Sequence, residues 1–179
     1  MKEYDCTSPE SQLLQAVFEG TAKATGLAFF EALVEHLCRA LHTHGAWVTE
    51  FHAAEQRLKA IAFWLGDGLV HDYEYAVAGT PCEPVIERKS YFHVPERVVD
   101  LFPQDPDLPA LGAVSYMGVP LLDLDGRILG HLAVLDTRPM PKEARKLAVF
   151  RIFAARAAAE LHRIRAEERV REREKKLTR

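Results

Sequence analysis

The chain has 179 residues, 48% hydrophobic and 27% charged, with a formal net charge of -3. That length holds one domain plus an extension around a sizeable core, and the composition excludes a disordered or fibrous chain. The small net charge gives no overall attraction to nucleic acid or anionic membrane, so neither partner is expected. No run of 18 apolar residues occurs, and the start MKEYDCTSPES lacks the basic-then-apolar order of a signal peptide; a cytoplasmic location is expected. Cys6, Cys38 and Cys82 are an odd count without C-x-x-C spacing, which points to reduced thiols rather than a disulfide framework or a zinc site.

In chain order, Ser8-Pro9-Glu10 reads as a helix start, with Leu13, Leu14, Val17 and Phe18 at helical spacing and Gly20 as its end. Thr25 is expected to cap a second helix that carries Phe29, Phe30, Leu33, Val34, Leu37, Cys38 and Leu41 on one face. From Gly45 the period becomes that of strands. Ala46 to Phe51 and Leu58 to Trp64 form a hairpin, a third short strand carries Tyr73, Tyr75 and Val77, and Tyr91 to Val94 is a fourth. Between the last two, Thr80 and Pro81 suit the cap and first position of a short helix through about Glu87. Residues 95 to 113 are rich in proline and acids, a connection with at most single helical turns near 97–102 and 108–111. A connection of that length has a binding or covering role.

The stretch SYMGVPLLDLDGRILGHLAVLD, from Ser115 to Asp136, is the most regular of the chain. Asp125-Gly126 between two apolar runs is a strong hairpin signal, because glycine tolerates the positive φ of the turn. The second run is apolar in both phases, Ile128, Gly130, Leu132 and Val134 alternating with Leu129, His131, Ala133 and Leu135. A strand covered on both faces sits in the middle of a sheet. After Pro139-Met140-Pro141 a final helix is expected from about Lys142 to the end. Leu147 to Ile164 is apolar on more than one face, whereas 166–179 is almost all charge with only Val170 and Leu177 apolar. Such a helix is about 50 Å long, more than a domain of this size spans, so its tail projects toward a second subunit or a further domain.

This order of elements, together with Gly79-Thr80-Pro81-Cys82-Glu83, the Y-x-G-V-P-L stretch at 116–121 and the D-G-x-x-L-G-x-L-x-V stretch at 125–134, resembles the GAF domain of bacterial signalling proteins over about Thr25 to Ala159. The resemblance implies an α+β fold related to PAS: a central antiparallel sheet of five or six strands, terminal helices on one face, and short helices and loops forming a pocket on the other. Three regions are expected: residues 1–24 as an N-terminal segment with a short helix, 25–160 as the GAF-like sensor, and 161–179 as a charged linker helix. Relatives stand in front of sensor kinases, cyclic-dinucleotide enzymes and sigma-54-dependent transcriptional activators. The implied function is therefore regulatory: a small molecule is sensed and its presence transmitted through the C-terminal helix to an output domain of transcription-activating or kinase type. The alternative is a ligand-free dimerisation module, and a homodimer through the N- and C-terminal helices is expected in either case.

For the pocket, Phe63, Trp64, Tyr73, Tyr75, Tyr91, Phe92 and Tyr116 supply an aromatic set with polar tips, as a small-molecule site requires, although each taken singly is explained by packing. Thr80 and Cys82 join them through the G-T-P-C stretch. In the first turn of a helix the Cys82 thiol would feel the helix dipole, but a small buried residue accounts for it more simply. Bilin attachment is disfavoured because the stretches that flank the chromophore in phytochrome-type relatives are missing. His71, His93 and His131 lack diagnostic spacing with Cys82, so no metal site is assigned, and a buried His131 would need a partner. No G-x-S-x-G, P-loop or H-E-x-x-H is present, and the acids at 105, 107, 123 and 125 fall in turns, so the chain is expected not to be an enzyme.

Overall fold

The computed structural model describes Gln15 and residues 24–178. The helix expected over 8–20 lies outside the described residues, apart from Gln15. The described elements run α1 (Leu27–Leu41), β1 (Gly45–His52), β2 (Arg57–Leu65), β3 (Gly68–Leu69), β4 (Glu74–Ala76), α2 (Cys82–Arg88), β5 (Phe92–Val94), α3 (Val98–Leu101), β6 (Ser115–Leu122), β7 (Ile128–Asp136) and α4 (Ala144–Leu177).

Seven strands form one antiparallel sheet in the order β3-β2-β1-β7-β6-β5, and β4 pairs with another part of β2. The two hairpins, β1–β2 and β6–β7, meet along β1 and β7, where Trp47 lies opposite Ala133 and Thr49 opposite His131. β7 is thus interior, as its two apolar phases require. One more strand forms than the five or six expected, because the Gly66-Asp67-Gly68 break turns the chain back far enough for Gly68 and Leu69 to pair with Leu65 and Trp64.

Two irregularities alter the alternation. In β2 the register slips between Val48 and Thr49 of its partner, so Ile61 and Ala62 both pack toward the helices. In β7 the slip at Leu121/Leu122 leaves Leu129 packed on the helix side and Ile128 on the opposite side. Strict alternation from Leu132 backwards would have placed these two the other way round; one extra residue in a bulge reverses the phase.

Each face of the sheet carries its own core. On one, α1 and α4 lay Phe30, Leu33, Leu37, Phe150 and Phe153 over Val48, Leu132 and Val134. On the other, α2, α3 and the 95–113 connection lay Val85, Ile86, Val98 and Leu108 over Trp47, Phe63, Tyr116, Ala133 and Leu135. Two local expectations are corrected. Gly26, not Thr25, is the N-cap residue of α1 and no side chain caps that end; the Gly26 N–H donates instead to Glu160 Oε1 of α4 at 2.8 Å. Thr80 does not cap α2 either: Pro81 is the N-cap residue, and the Thr80 hydroxyl donates back to the Val77 carbonyl at 2.7 Å.

α4 starts at Ala144 and runs for 34 residues. Val149, Phe150, Phe153, Ala154, Ala157 and Leu161 are buried, while the side chains from Ala166 to Thr178 are exposed. Apolar burial anchors the first half; the second half has no apolar face with which to be anchored. Among the described residues no helix is long and apolar enough to cross a membrane.

Candidate functional site

On the face opposite α1 and α4, α2 brings Cys82 down onto the sheet. Its position follows from the sequence: Pro81 supplies a helical φ, Glu83 Oε2 accepts the Gly79 N–H at 3.0 Å, and Val85 and Ile86 provide the buried side of a two-turn helix. Cys82 Sγ then lies 3.3 Å from the Tyr75 hydroxyl, 3.4 Å from the Tyr116 hydroxyl and 3.1 Å from His131 Nε2. Three strands, β4, β6 and β7, thus point one polar group each at a single sulfur.

The second layer orients these groups. Trp47 Nε1–H donates to the Tyr75 oxygen at 2.8 Å, which leaves the Tyr75 proton free to point at Cys82. Thr49 Oγ1 lies 2.5 Å from His131 Nδ1 and 3.5 Å from the His131 carbonyl, and it accepts the His131 backbone N–H at 3.2 Å. With the hydroxyl proton directed at the shorter contact, Nδ1 accepts and the ring proton resides on Nε2, facing sulfur; with it directed at the His131 carbonyl, Nδ1–H donates to Thr49 and Nε2 accepts from the thiol. Close approach makes this possible: at Gly130 a Cβ would run into the Thr49 carbonyl, and at Gly118 it would run into the Tyr116 hydroxyl.

Burial dominates the electrostatics. Tyr116 and His131 are 0% accessible and Cys82 is 2% accessible. Desolvation pushes the Cys82 thiol up to about 11, with hydrogen bonds from Tyr116, Tyr75 and Thr80 pulling the other way. It pushes His131 down to about 3 and both tyrosines well above their ordinary value. At neutral pH the cluster is therefore uncharged throughout: a thiol, two phenols and a neutral imidazole. Desolvation thus favours the thiol over the thiolate at Cys82.

The expected site residues divide between the faces. Phe63, Tyr73, Tyr75, Thr80, Cys82, Tyr116 and His131 gather on the α2 side, where Tyr73 stacks between Phe63 and Tyr75 at 5.1 Å from each and donates to Asp107 Oδ2 at 2.6 Å. Trp64, Tyr91 and His93 do not join them. Trp64 and Tyr91 pack against the helix-side core, and His93 Nε2 donates to the Met140 carbonyl at 2.8 Å with its ring 6.1 Å from that of Tyr91. The reason is the two-residue period: Phe63 and Trp64 are neighbours in β2 and must face opposite ways. His93 is likewise parted from Cys82 by the sheet, and among the described residues no three His, Cys, Asp or Glu side chains converge on a metal position. Trp47 and Thr49 were not singled out in the sequence. The available signal was their shared phase in β1, which lines up with His131 only once β1 is known to lie beside β7.

The model of the GAF domain matches residues 26–161. No curated protein matches the chain. Among solved structures, the GAF domain of a phosphoenolpyruvate-protein phosphotransferase from Acinetobacter is similar with a TM-score of 0.73 at 11% identity, over 91% of this chain and 99% of that one. The GAF domain of the corresponding protein from Coxiella burnetii gives 0.71 at 19% identity, over 88% and 95%. The chromophore-binding domain of a bacteriophytochrome from R. palustris gives 0.69 at 13% identity, over 93% of this chain and 64% of that one. At these identities the structural likeness establishes the fold. Since the family model spans three-quarters of the sequence, including both hairpins, α2 and the buried half of α4, the chain belongs to the GAF domain family of signalling and sensory modules.

Proposed function

We propose that this chain is a non-catalytic sensor module in which α2 acts as a plug. The observation that carries the reading is the convergence of the Tyr75 hydroxyl, the Tyr116 hydroxyl and His131 Nε2 on the point held by Cys82 Sγ, three groups that can each present a proton there. Sulfur is a weak acceptor, and a carboxylate or carbonyl oxygen placed there would receive the same three donors more strongly. A small molecule bearing such an oxygen on an apolar body would lift α2 and the 95–113 connection and take the sulfur's place among Phe63, Tyr73 and Trp47. The strands that hold Tyr116 and His131 carry α4 on their other face, so the change is one sheet thickness from the helix that leaves the domain. The downstream partner in this reading is an output domain of kinase or transcription-activating type.

The test is a thermal-shift and calorimetric screen of organic acids, cyclic nucleotides and carbonyl compounds against the wild-type chain and Cys82→Ala, which vacates the acceptor point. A ligand at a hundred times its dissociation constant adds about 2.7 kcal/mol of stability, roughly 5–10 °C for a chain of this size. The expected hit binds Cys82→Ala more tightly than wild type and loses at least tenfold in affinity in Tyr116→Phe. If no compound shifts either protein, the plug reading is wrong.

A second reading rests on the burial of the cluster. With Cys82, Tyr116 and His131 already buried among side chains, the second reading is a ligand-free dimerisation module, with α1 and α4 contributing to a helical bundle between copies. Sedimentation of the full chain and of a chain ending at Ala159 separates the contributions: a dimer that survives the truncation is not held by the charged tail.

A further inference from the structure

On the helix side, α4 does not cover the sheet to its edge. β5 pairs with β6 only at residues 116–118, so among the described residues β6 beyond Gly118 has no strand beside it on that side. The open edge, α4 and the segment after α2 border a shallow, solvent-open groove of about 420 Å³, lined by Lys89, Tyr91, Pro120, Arg151, Ala155 and Ala158 among others. It lies across the sheet from Cys82, and the plug reading does not use it.

Two of its features point to one kind of occupant. The first is charge. The Arg151 guanidinium lies 6.0 Å from the centre of the Tyr91 ring, and Lys89 Nζ donates to the Gly126 carbonyl at 3.2 Å; neither cation has a carboxylate within ion-pair distance among the described residues. Seven other cations pair with acids, Arg163 making two of the eight bridges, so Arg151 and Lys89 are left with their charge available to an occupant of the groove. The second is the surface between them. The alanines of α4 keep the wall low and apolar, and Tyr91 offers an aromatic face already stacked by a guanidinium. Pro120 has no N–H to give a ladder, so an added β-strand is a poor occupant of this edge. The volume falls in the range of small-molecule sites.

We propose that the groove between α4 and the open edge of β6 binds a small organic anion with an aromatic or apolar body, its charge held by Arg151 and Lys89 and its body lying on Tyr91, Pro120 and the α4 alanines. An occupant there touches the transmitting helix directly, through Arg151, Ala155 and Ala158. The site is independent of the Cys82 cluster and would stand if the plug reading failed.

The experiment is calorimetry on the full chain with 1-naphthoate as probe, 1-naphthalenemethanol and inorganic phosphate as controls, and sedimentation velocity in parallel. Saturable one-to-one binding of naphthoate is expected, at least tenfold tighter than the alcohol, with none for phosphate. Arg151→Gln and Lys89→Gln should each weaken it about tenfold with melting temperature unchanged, and Ala155→Leu should abolish it by filling the groove. Tyr116→Phe should leave it unaltered. The proposal is overturned by absence of saturable binding below millimolar concentration, by equal binding of the alcohol, or by full affinity in the Arg151/Lys89 double variant. Loss of binding in Tyr116→Phe alone would place naphthoate under α2, and a dimer dissociated by Ala155→Leu would assign the groove to a second copy; either outcome also overturns it.

Discussion

His131 shows how one residue links burial to pH. Its ring is neutral in the fold and its protonation is pushed down to about 3, against an ordinary value of 6.5. Between these values the unfolded chain binds a proton that the folded chain does not, so stability is complete above pH 6.5 and is lost as pH falls toward 3. The slope approaches about 1.4 kcal/mol per pH unit in that window. Urea titrations of wild type and His131→Gln from pH 7.5 to 4 should diverge by that slope, since other titrating groups cancel in the difference; parallel curves would show that the imidazole is not buried neutral. Gly130 gives a second test at this scale. Its Cβ would collide with the Thr49 backbone, which cannot rotate away, so Gly130→Ala should cost about 3 kcal/mol or more. Gly68→Ala meets nothing within 4 Å at ordinary φ and should be nearly neutral by the same urea measurement.

At the scale of the element, α4 is two helices in one. The first half is anchored by Phe150 and Phe153, both 0% accessible, and truncating Phe153 to Ala should cost about 3–5 kcal/mol. The second half is tied to the sheet by Arg165, which pairs with Glu50 of β1, while Arg163 binds Glu160 and Glu167 along its own helix. These pairs are partly exposed, contribute little to stability and are weakened by salt. Amide exchange should therefore be slowest over 149–161 and fast over 168–177, with 0.5 M salt accelerating exchange near Arg165 but not near Phe153. Uniform protection along all 34 residues would mean that the tail is held by a partner copy. The end of α4 farthest from the sheet is thus the end with the least intrinsic anchoring, as the proposed sensor function requires.

For the whole molecule, one sheet separates two cores, and each core holds a buried thiol. Burial pushes Cys38 up to about 12 on the helix side and Cys82 up to about 11 on the other. Neither should react with iodoacetamide at pH 7.5 until the fold opens, and both should then react together if the two cores unfold as one unit. Mass spectrometry resolves the sites; modification of Cys82 well before Cys38 would show that α2 opens locally, which is also what the plug requires. The sequence by itself determined the elements whose cause is local. Helical spacing marks α1 and α4, Asp125-Gly126 marks the central hairpin, and the charge after Ile164 marks a tail that cannot be buried. It did not determine the strand bulges that reverse Ile128 and Leu129, the cap of α1, or which aromatic residues share a pocket. Those depend on contacts between distant segments: Gly26 reaches Glu160, Thr49 reaches His131, and Tyr73 reaches Asp107 only after the sheet has closed. Phe63 and Trp64 illustrate the division most plainly. Their adjacency made both candidates for one site, and the two-residue period of the strand, combined with a sheet covered on both faces, sent one to each core.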